Sequence, residues 1–178
     1  MEKSRLSRGD WVLAPGTLSP SYMVDVRVNV LKDSPRPLVQ RQRVRFHLGA
    51  SETLGRVVLL ECEEIPPGES GVVQFRLEVP VVVDRGDHFV IRSYSPQRAI
   101  GGGTILVPNP EKHRRHDAEA VARLGVEEEG GVEARVLQAL ETFPLGATID
   151  QAAAKAGLTS AETGPALQAL ETGGDVLN

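Results

Sequence analysis

Cysteine is nearly missing from this 178-residue chain, because Cys62 is its single representative. A lone cysteine excludes an internal disulfide and a metal cluster built on several thiolates. Since Cys62 lies in a strand-like run of residues, we expect it to be a small core residue.

Long apolar runs are missing as well. No stretch is long enough to cross a bilayer, and the polar start at residues 1–5 has no hydrophobic stretch of the signal-peptide type behind it. We therefore expect a soluble, cytoplasmic protein with no membrane partner. With 40% hydrophobic residues the chain can bury a core, and its length allows one domain and a smaller second unit.

The motifs of common enzymes are incomplete. Residues 49–56 look like a phosphate loop, but the glycine spacing is one residue too long, and Arg56 stands where Lys followed by Ser or Thr is needed. No arrangement of Ser, His and Asp stands out. We therefore predict no catalytic residue in this chain.

Histidines and acidic residues near residue 113 raise the alternative of a metal site. His113 and His116, with acidic residues at 111, 117 and 119, could present ligands on successive turns of a predicted helix. Exposed, charged helices produce such spacings often. We predict no metal and no cofactor in this chain.

Alternation of apolar and polar residues with a period of two is what the sequence does contain. It is clearest at residues 24–30, 44–48 and 73–79, and each of these runs predicts a half-buried strand. Three further short runs, at residues 56–62, 88–92 and 104–107, bring the number of predicted strands to six. Six short strands with no helix between them predict a closed barrel or a sandwich, because an open sheet would leave exposed edges.

Three consecutive glycines, at residues 101–103, follow a loop between the last two predicted strands. Glycines suit a bulge, a tight bend, or a backbone that another large molecule must approach closely. A bend within a barrel strand would explain them equally well.

Helical patterns replace the alternation after residue 107. Residues 111–124 predict one helix, and residues 127–131 predict a charged, glycine-ended linker. Three more helical stretches follow, at residues 132–142, 149–156 and 160–172. They have the outline of a helix-turn-helix, with capping-box spacing between Thr159 and Glu162 and the start of a wing at residues 175–177.

Charge is distributed unevenly along the chain. Residues 1–107 carry 14 Lys and Arg against 12 Asp and Glu, whereas residues 132–178 carry 2 against 6. The stretch at residues 161–171, which would be the recognition helix, contains no Lys or Arg. Because phosphate neutralisation supplies much of the affinity for DNA, we expect no DNA partner, and a packing or spacer module is the favoured interpretation.

The strongest candidate site is a basic strand. Four basic side chains alternate along it: Arg41, Arg43, Arg45 and His47. Alternation places them on one face at intervals of about 7 Å, close to the spacing of phosphates along a nucleic-acid strand. A solvated outer face would also account for the row. Tyr94 and Arg98, in a nearby loop, could add stacking and phosphate contacts, which favours RNA as the ligand.

Several of these stretches together resemble the third domain of the elongation factor Tu superfamily. The motifs are Phe46-His47-Leu48-Gly49-Ala50-Ser51-Glu52 with Arg56, Pro67-Gly68, Gly86-Asp87-His88-Phe89-Val90-Ile91-Arg92, and Ile100-Gly101-Gly102-Gly103. The Ile-Gly-Gly-Gly form and the helical extension narrow the resemblance to SelB, the bacterial selenocysteine-specific translation elongation factors.

The resemblance implies a mostly β architecture. It places the end of a preceding β-barrel domain, with a strand at residues 9–14, in residues 1–20, and a six-stranded antiparallel barrel in residues 21–107. A linker helix would follow in residues 108–131 and a truncated first winged helix in residues 132–178. The GTPase domain of such a factor, with its GTP and Mg, would lie outside this chain, so we expect no enzymatic activity here.

Members of this family carry selenocysteyl-tRNA to the ribosome at recoded UGA codons and read a hairpin in the message. By motif position, tRNA contacts would fall on two groups of residues: Arg45, His47 and Ser51, and then Arg92, Ser93 and Tyr94. The ribosome and the hairpin would be bound through other domains, and we expect a monomer. The alternative is a barrel that only docks on other domains of a translational GTPase, which predicts an apolar outer patch and no RNA affinity.

Overall fold

The computed structural model of the chain describes residues 9–13, 18–129, 131–173 and 175–176, with only the backbone described at residues 126–129. The chain divides into two compact units, residues 1–124 and residues 125–178. Within the described ranges, no helix combines the length and the apolar character needed to cross a membrane.

The first unit is an antiparallel barrel of six main strands. They are β1 (Ser21–Val30), β3 (Arg43–Leu48), β4 (Ser51–Leu59), β6 (Ser70–Val81), β7 (His88–Ser93) and β8 (Ala99–Val107). Around the barrel the order is β1, β6, β4, β3, β7, β8, and β8 pairs with β1 to close it. Two short strands, β2 (Leu38–Val39) and β5 (Glu64–Ile65), form a separate two-stranded sheet. The predicted six-stranded barrel is confirmed.

The barrel interior is filled by the apolar residues of the alternating pattern. Three aromatic rings pack at its centre, with centroid distances of 5.2 Å from Phe46 to Phe75, 4.9 Å from Phe46 to Phe89 and 5.7 Å from Phe75 to Phe89. Cys62 is half-buried and packs against this core, where burial raises the pKa of its thiol. Because alternate residues of each strand point inward, their neighbours are left on the outer surface.

The three glycines lie inside β8 and not in the loop before it. A Cβ on Gly103 would lie 1.9 Å from the carbonyl oxygen of Arg27 on β1, and one on Gly102 would lie 2.7 Å from that of Phe89 on β7. The glycines therefore allow β8 to approach both of its neighbours in the barrel. The structure supports the interpretation that places them in a barrel strand.

Some predicted boundaries were wrong. β4 begins at Ser51 and not at Arg56, and the two-residue strands β2 and β5 were missed because so short a run shows no period. Of the strand predicted at residues 9–14, residues 9–13 are not in a strand, and residue 14 lies outside the described residues.

The linker helix also begins later than predicted. Helix α1 spans Ala118–Glu129, so it takes in part of the predicted charged linker. Residues 111–117, here called the strap, are irregular and lie on the barrel. The side chain of Gln74 holds the strap, because its Nε2 donates to the carbonyl of Glu111 at 2.8 Å and its Oε1 accepts from the backbone N–H of His113 at 3.2 Å.

The second unit contains three helices: α2 (Val132–Glu141), α3 (Ile149–Ala156) and α4 (Ser160–Gly173). They pack on a small core that includes Val136 and Leu170. The predicted capping box is confirmed, since Thr159 N–H donates to Glu162 Oε2 at 2.9 Å and Glu162 N–H donates to Thr159 Oγ1 at 3.3 Å. Of the predicted wing, residues 175–176 are not in a strand and residue 177 lies outside the described residues.

Candidate nucleic-acid interface

The outer face of β3 carries the predicted basic row. Val44, Phe46 and Leu48 are buried in the barrel, so Arg43, Arg45 and His47 lie on the opposite face, each of them half-buried. This shared face is as predicted. In the antiparallel register, Arg45 lies opposite Arg92 of β7, which adds a further exposed cation beside the row.

Arg41 does not belong to the row, and its predicted place on the strand was wrong. It precedes β3 in a turn with a positive φ of 61°. Its backbone N–H donates to the carbonyl of Val57 at 2.9 Å, and its carbonyl accepts from Arg56 at 3.5 Å. The turn rotates this residue out of the alternation.

Two carboxylates pair with the row, one on the adjacent strand β4 and one on the next strand, β6, and the sequence did not indicate either of them. Glu78 of β6 accepts from Arg43 in a bidentate pair, at 2.9 Å from Nε and 2.8 Å from Nη2. Glu52 of β4 accepts from Arg45. These hydrogen bonds lower the pKa of each carboxyl group, so both are ionised at neutral pH. Exposed ion pairs of this kind contribute little to stability, so they can be exchanged for another anion.

Tyr94 organises the guanidinium groups from the other side. The centroid of its ring lies 4.9 Å from Cζ of Arg43 and 5.6 Å from Cζ of Arg45, within range of cation–π attraction. The ring is 47% exposed. With its amide oxygen turned toward the row, Gln97 accepts from Arg45 at 3.1 and 3.2 Å. Tyr94 and the row therefore form one surface, and the predicted role of Tyr94 in RNA binding stays a prediction.

Comparison with known proteins decides the family of this barrel. The family described as "Selenocysteine-specific elongation factor, beta-barrel domain" matches residues 25–112, which cover nearly the whole barrel and the start of the strap. The barrel belongs to the SelB family.

Relatives of this SelB-type barrel bear the same name, Selenocysteine-specific elongation factor. One from Desulfomicrobium baculatum is 39% identical over 127 residues, which is 70% of this chain and 20% of that protein. One from Escherichia coli is 29% identical over 118 residues, or 66% of this chain and 17% of that protein. One from Haemophilus influenzae is 27% identical over 116 residues, or 65% and 18%. The chain thus spans about a fifth of the length of these relatives, and the resemblance is confirmed.

Two further residues of the SelB-type barrel that were predicted to contact RNA, Arg98 and Ser51, make hydrogen bonds within the barrel. Arg98 donates to the carboxylate and to the carbonyl of Asp33, both at 2.9 Å, and none of its described contacts is with the row. The hydroxyl of Ser51 donates to the carbonyl of Leu48 at 2.8 Å and closes the turn between β3 and β4. Their predicted role in RNA binding stays a prediction.

Ser93 shapes the loop that carries Tyr94. Its hydroxyl donates to the carbonyl of Pro96 and accepts from the backbone N–H of Arg98 at 3.2 Å. Its backbone N–H donates to the carbonyl of Arg98 at 2.9 Å. Ser93 therefore holds this loop of the SelB-type barrel in place, while Tyr94 presents its exposed ring beside Arg43 and Arg45.

His47 differs from the arginines of the row. Burial lowers the pKa of His47, and the positive charges of Arg92 and Arg45 lower it further, while Glu52 opposes the shift. The imidazole is therefore neutral at pH 7. Its Nε2 has no hydrogen-bond partner among the described residues. The permanent charge of this surface comes from Arg43, Arg45 and Arg92.

Proposed function

We propose that this chain is part of an elongation factor that delivers selenocysteyl-tRNA to the ribosome at recoded UGA codons, and that its barrel binds the acceptor and T arms of the tRNA. The family of the barrel supports this proposal. GTP hydrolysis belongs to another part of such a factor, and this chain binds without catalysing a reaction. The factor works in the cytoplasm, and this chain is monomeric.

The observation that carries the proposal is the pair of guanidinium groups, Arg43 and Arg45, held beside the ring of Tyr94 on the outer face of β3. A guanidinium group presents its N–H donors in a planar fork that matches two phosphate oxygens. Arg92, opposite Arg45 on β7, extends the same surface. Together these groups form a positively charged platform with one aromatic face.

RNA binding would replace a carboxylate on each arginine with a phosphate of the RNA. In the absence of RNA, Glu78 accepts hydrogen bonds from Arg43 and Glu52 accepts one from Arg45. A phosphate that replaces Glu78 can keep the two-bond geometry on Arg43, and one that replaces Glu52 can accept from Arg45 in the same way. The counterions released from the RNA add a favourable entropy. The ring of Tyr94 limits the conformations of both arginines, which lowers the entropic cost of ordering them on binding.

The test compares the wild-type chain with Arg43→Ala and Arg45→Ala combined. We would measure fluorescence anisotropy of a labelled RNA hairpin containing the tRNA acceptor and T arms, over a series of salt concentrations. Loss of two phosphate contacts weakens binding and reduces the slope of log K against log salt by about 1.8, because each contact contributes about 0.9.

A charge-matched control is available at two exposed lysines that do not belong to the row, Lys32→Ala combined with Lys155→Ala. This variant has the same net charge as the arginine variant. Equal losses in the two variants would show only a net-charge effect. Unchanged affinity together with an unchanged salt slope in the arginine variant would refute the proposal.

A second candidate function is docking of the barrel on another domain of the same factor. It is favoured by two exposed apolar side chains, Tyr22 at 58% and Val79 at 59% exposure, near the ends of the paired strands β1 and β6. If docking is the sole function, the wild-type chain has no RNA affinity. Tyr22→Ser with Val79→Ser then has no RNA affinity either. RNA binding that depends on Arg43 and Arg45 would exclude it as the sole function.

The helical unit is proposed to act as a spacer toward the domains that bind the message hairpin. Its last helix, α4, contains Glu162 and Glu171 and no Lys or Arg. An acidic helix repels the phosphate backbone, so direct RNA binding through α4 is unfavourable. Deleting residues 132–178 should therefore leave the affinity of the tRNA hairpin for the barrel unchanged.

A further inference from the structure

A second basic surface lies beside β4, β6 and the strap, in an open groove of about 880 Å³. Six cationic side chains line it: Arg41, Arg56, Arg76, Lys112, Arg114 and Arg115. No acidic side chain of the described chain is among its lining residues. The sequence does not predict this groove, because its residues are distant from one another in the chain.

The barrel brings part of this charge together across adjacent strands. Arg56 of β4 lies directly opposite Arg43 of β3 on one side and Arg76 of β6 on the other. Like charges placed opposite one another in a sheet are unfavourable. The Glu78 carboxylate offsets part of this repulsion, because it pairs with Arg43 and attracts Arg56. An anion bound beside Arg56 and Arg76 would relieve the remainder.

The strap contributes the remaining cations, and a buried network holds it in position. His113 is 8% exposed and its Nε2 lies 2.6 Å from Oδ2 of Asp25, while its carbonyl accepts from Arg76 Nη2 at 2.8 Å. Because His113 is fixed in this way, Lys112 and Arg114 on either side of it are held at the groove and exposed. The groove is therefore built in advance of binding.

The cations of the groove differ in how far protein groups already engage them. Arg115 pairs with Glu63, and Arg76 donates to His113. Lys112 and Arg114 have no carboxylate within 4 Å among the described residues. These two groups are available to an anion, and neither is part of the basic row on β3.

We propose that this groove binds the phosphodiester backbone of RNA, as a second phosphate site separate from the row on β3. Several closely spaced cations with few carboxylate partners match a chain of phosphates better than a single small anion. Successive strands lie about 4.8 Å apart, so Arg43, Arg56 and Arg76 form a path of positive charge that leads from the row to the groove. The RNA strand would cross the barrel strands along this path.

The backbone could belong to a duplex or to a single strand, so the experiment uses both. We would measure fluorescence anisotropy of the tRNA-arm hairpin and of a uridine 20-mer with the wild-type chain and with Lys112→Gln plus Arg114→Gln. The variant Lys112→Gln plus Arg114→Gln is here called the strap variant. At 0.1 M salt it should bind the RNA that occupies the groove at least about fivefold more weakly than the wild type does. Its salt slope should fall by about 1.8 for a duplex and about 1.4 for a single strand.

Controls separate this proposal from the proposed function. Lys112→Arg with Arg114→Lys keeps the charges and should bind as the wild type does, and thermal unfolding checks that each variant folds. If only Arg43→Ala with Arg45→Ala weakens binding, the groove proposal fails and the tRNA platform stands. If only the strap variant weakens it, the platform fails and the groove stands.

An acidic protein surface is the competing ligand. Poly-glutamate of matched length tests it by competition against the bound RNA probe. We expect unlabelled RNA to displace the labelled RNA probe at a concentration at least about tenfold lower than poly-glutamate requires. Equal competition by the two polymers, or unchanged affinity and slope for both RNA probes in the strap variant, would overturn the proposal.

Discussion

Asp25 and His113 are 88 residues apart in sequence, yet Oδ2 of the aspartate lies 2.6 Å from Nε2 of the histidine. Asp25 is 1% exposed and His113 is 8% exposed. Gln74 completes the network, because its Nε2 donates to Asp25 Oδ1 at 2.9 Å. This contact fastens the strap to the outside of the barrel between β1 and β6.

The first prediction concerns the pH dependence of this contact. The hydrogen bond to Asp25 raises the pKa of His113 above its ordinary value of 6.5. Asp117 acts in the same direction, while burial and the charge of Arg123 oppose the shift. The folded state therefore holds the proton more tightly than the unfolded state does. The contribution of the pair to stability is fully present below pH 6.5 and is lost as the pH rises through the raised pKa.

Urea unfolding, followed by far-UV circular dichroism at several pH values, would measure this effect. The free energy of unfolding of the wild-type chain should fall relative to that of His113→Asn as the pH increases above 6.5. His116→Asn is the matched control, since His116 is exposed in the same strap. A difference between wild type and His113→Asn that does not change with pH would contradict the prediction.

The second prediction concerns the carboxylates that pair with the basic row. Because Glu52 and Glu78 occupy the guanidinium groups, replacing both by Gln should strengthen RNA binding. Exposed ion pairs are weak, so we expect a gain of about twofold to fivefold for each carboxylate. Anisotropy with the tRNA-arm hairpin measures the gain. Glu119→Gln with Glu171→Gln controls for net charge, and weaker binding of the Glu52 and Glu78 variant would show that the carboxylates position the arginines more than they compete.

The third prediction concerns Tyr94. Its ring contacts the guanidinium groups of Arg43 and Arg45, so Tyr94→Ala should weaken RNA binding by about threefold to tenfold. Tyr94→Phe keeps the aromatic face and should bind within about twofold of the wild type. The same anisotropy titration compares the three proteins. Equal losses in the Ala and Phe variants would assign the effect to the hydroxyl group and not to the ring.

The strand pattern of the barrel could be predicted from the sequence, because alternation decides which side chains point inward. It placed Val44 and Phe46 in the core and Arg43 and Arg45 outside, as the structure shows. Alternation does not show where a strand begins. Arg41 has the right spacing, but its left-handed backbone puts it in a turn.

The partners of the row could not be predicted from the sequence, because they depend on the order of strands around the barrel. Arg43 reaches Glu78 across β4, a contact between residues 35 positions apart. The start of helix α1 was missed for a similar reason. Local spacing around His113 suggests a helix, but tertiary hydrogen bonds to Asp25 and Gln74 hold it in an irregular strap.

The fourth prediction concerns the close approach of β8 to β1. A methyl group on Gly103 would lie 1.9 Å from the carbonyl oxygen of Arg27, so Gly103→Ala forces two paired strands apart. We expect a loss of at least about 2 kcal/mol in the free energy of unfolding, measured by urea denaturation. Gly125→Ala is the control, because a Cβ there would meet nothing within 4 Å and alanine favours the helix. Equal stability of Gly103→Ala and wild type would mean that β8 can shift without cost, and the need for glycine would then have to come from a ligand approaching that strand.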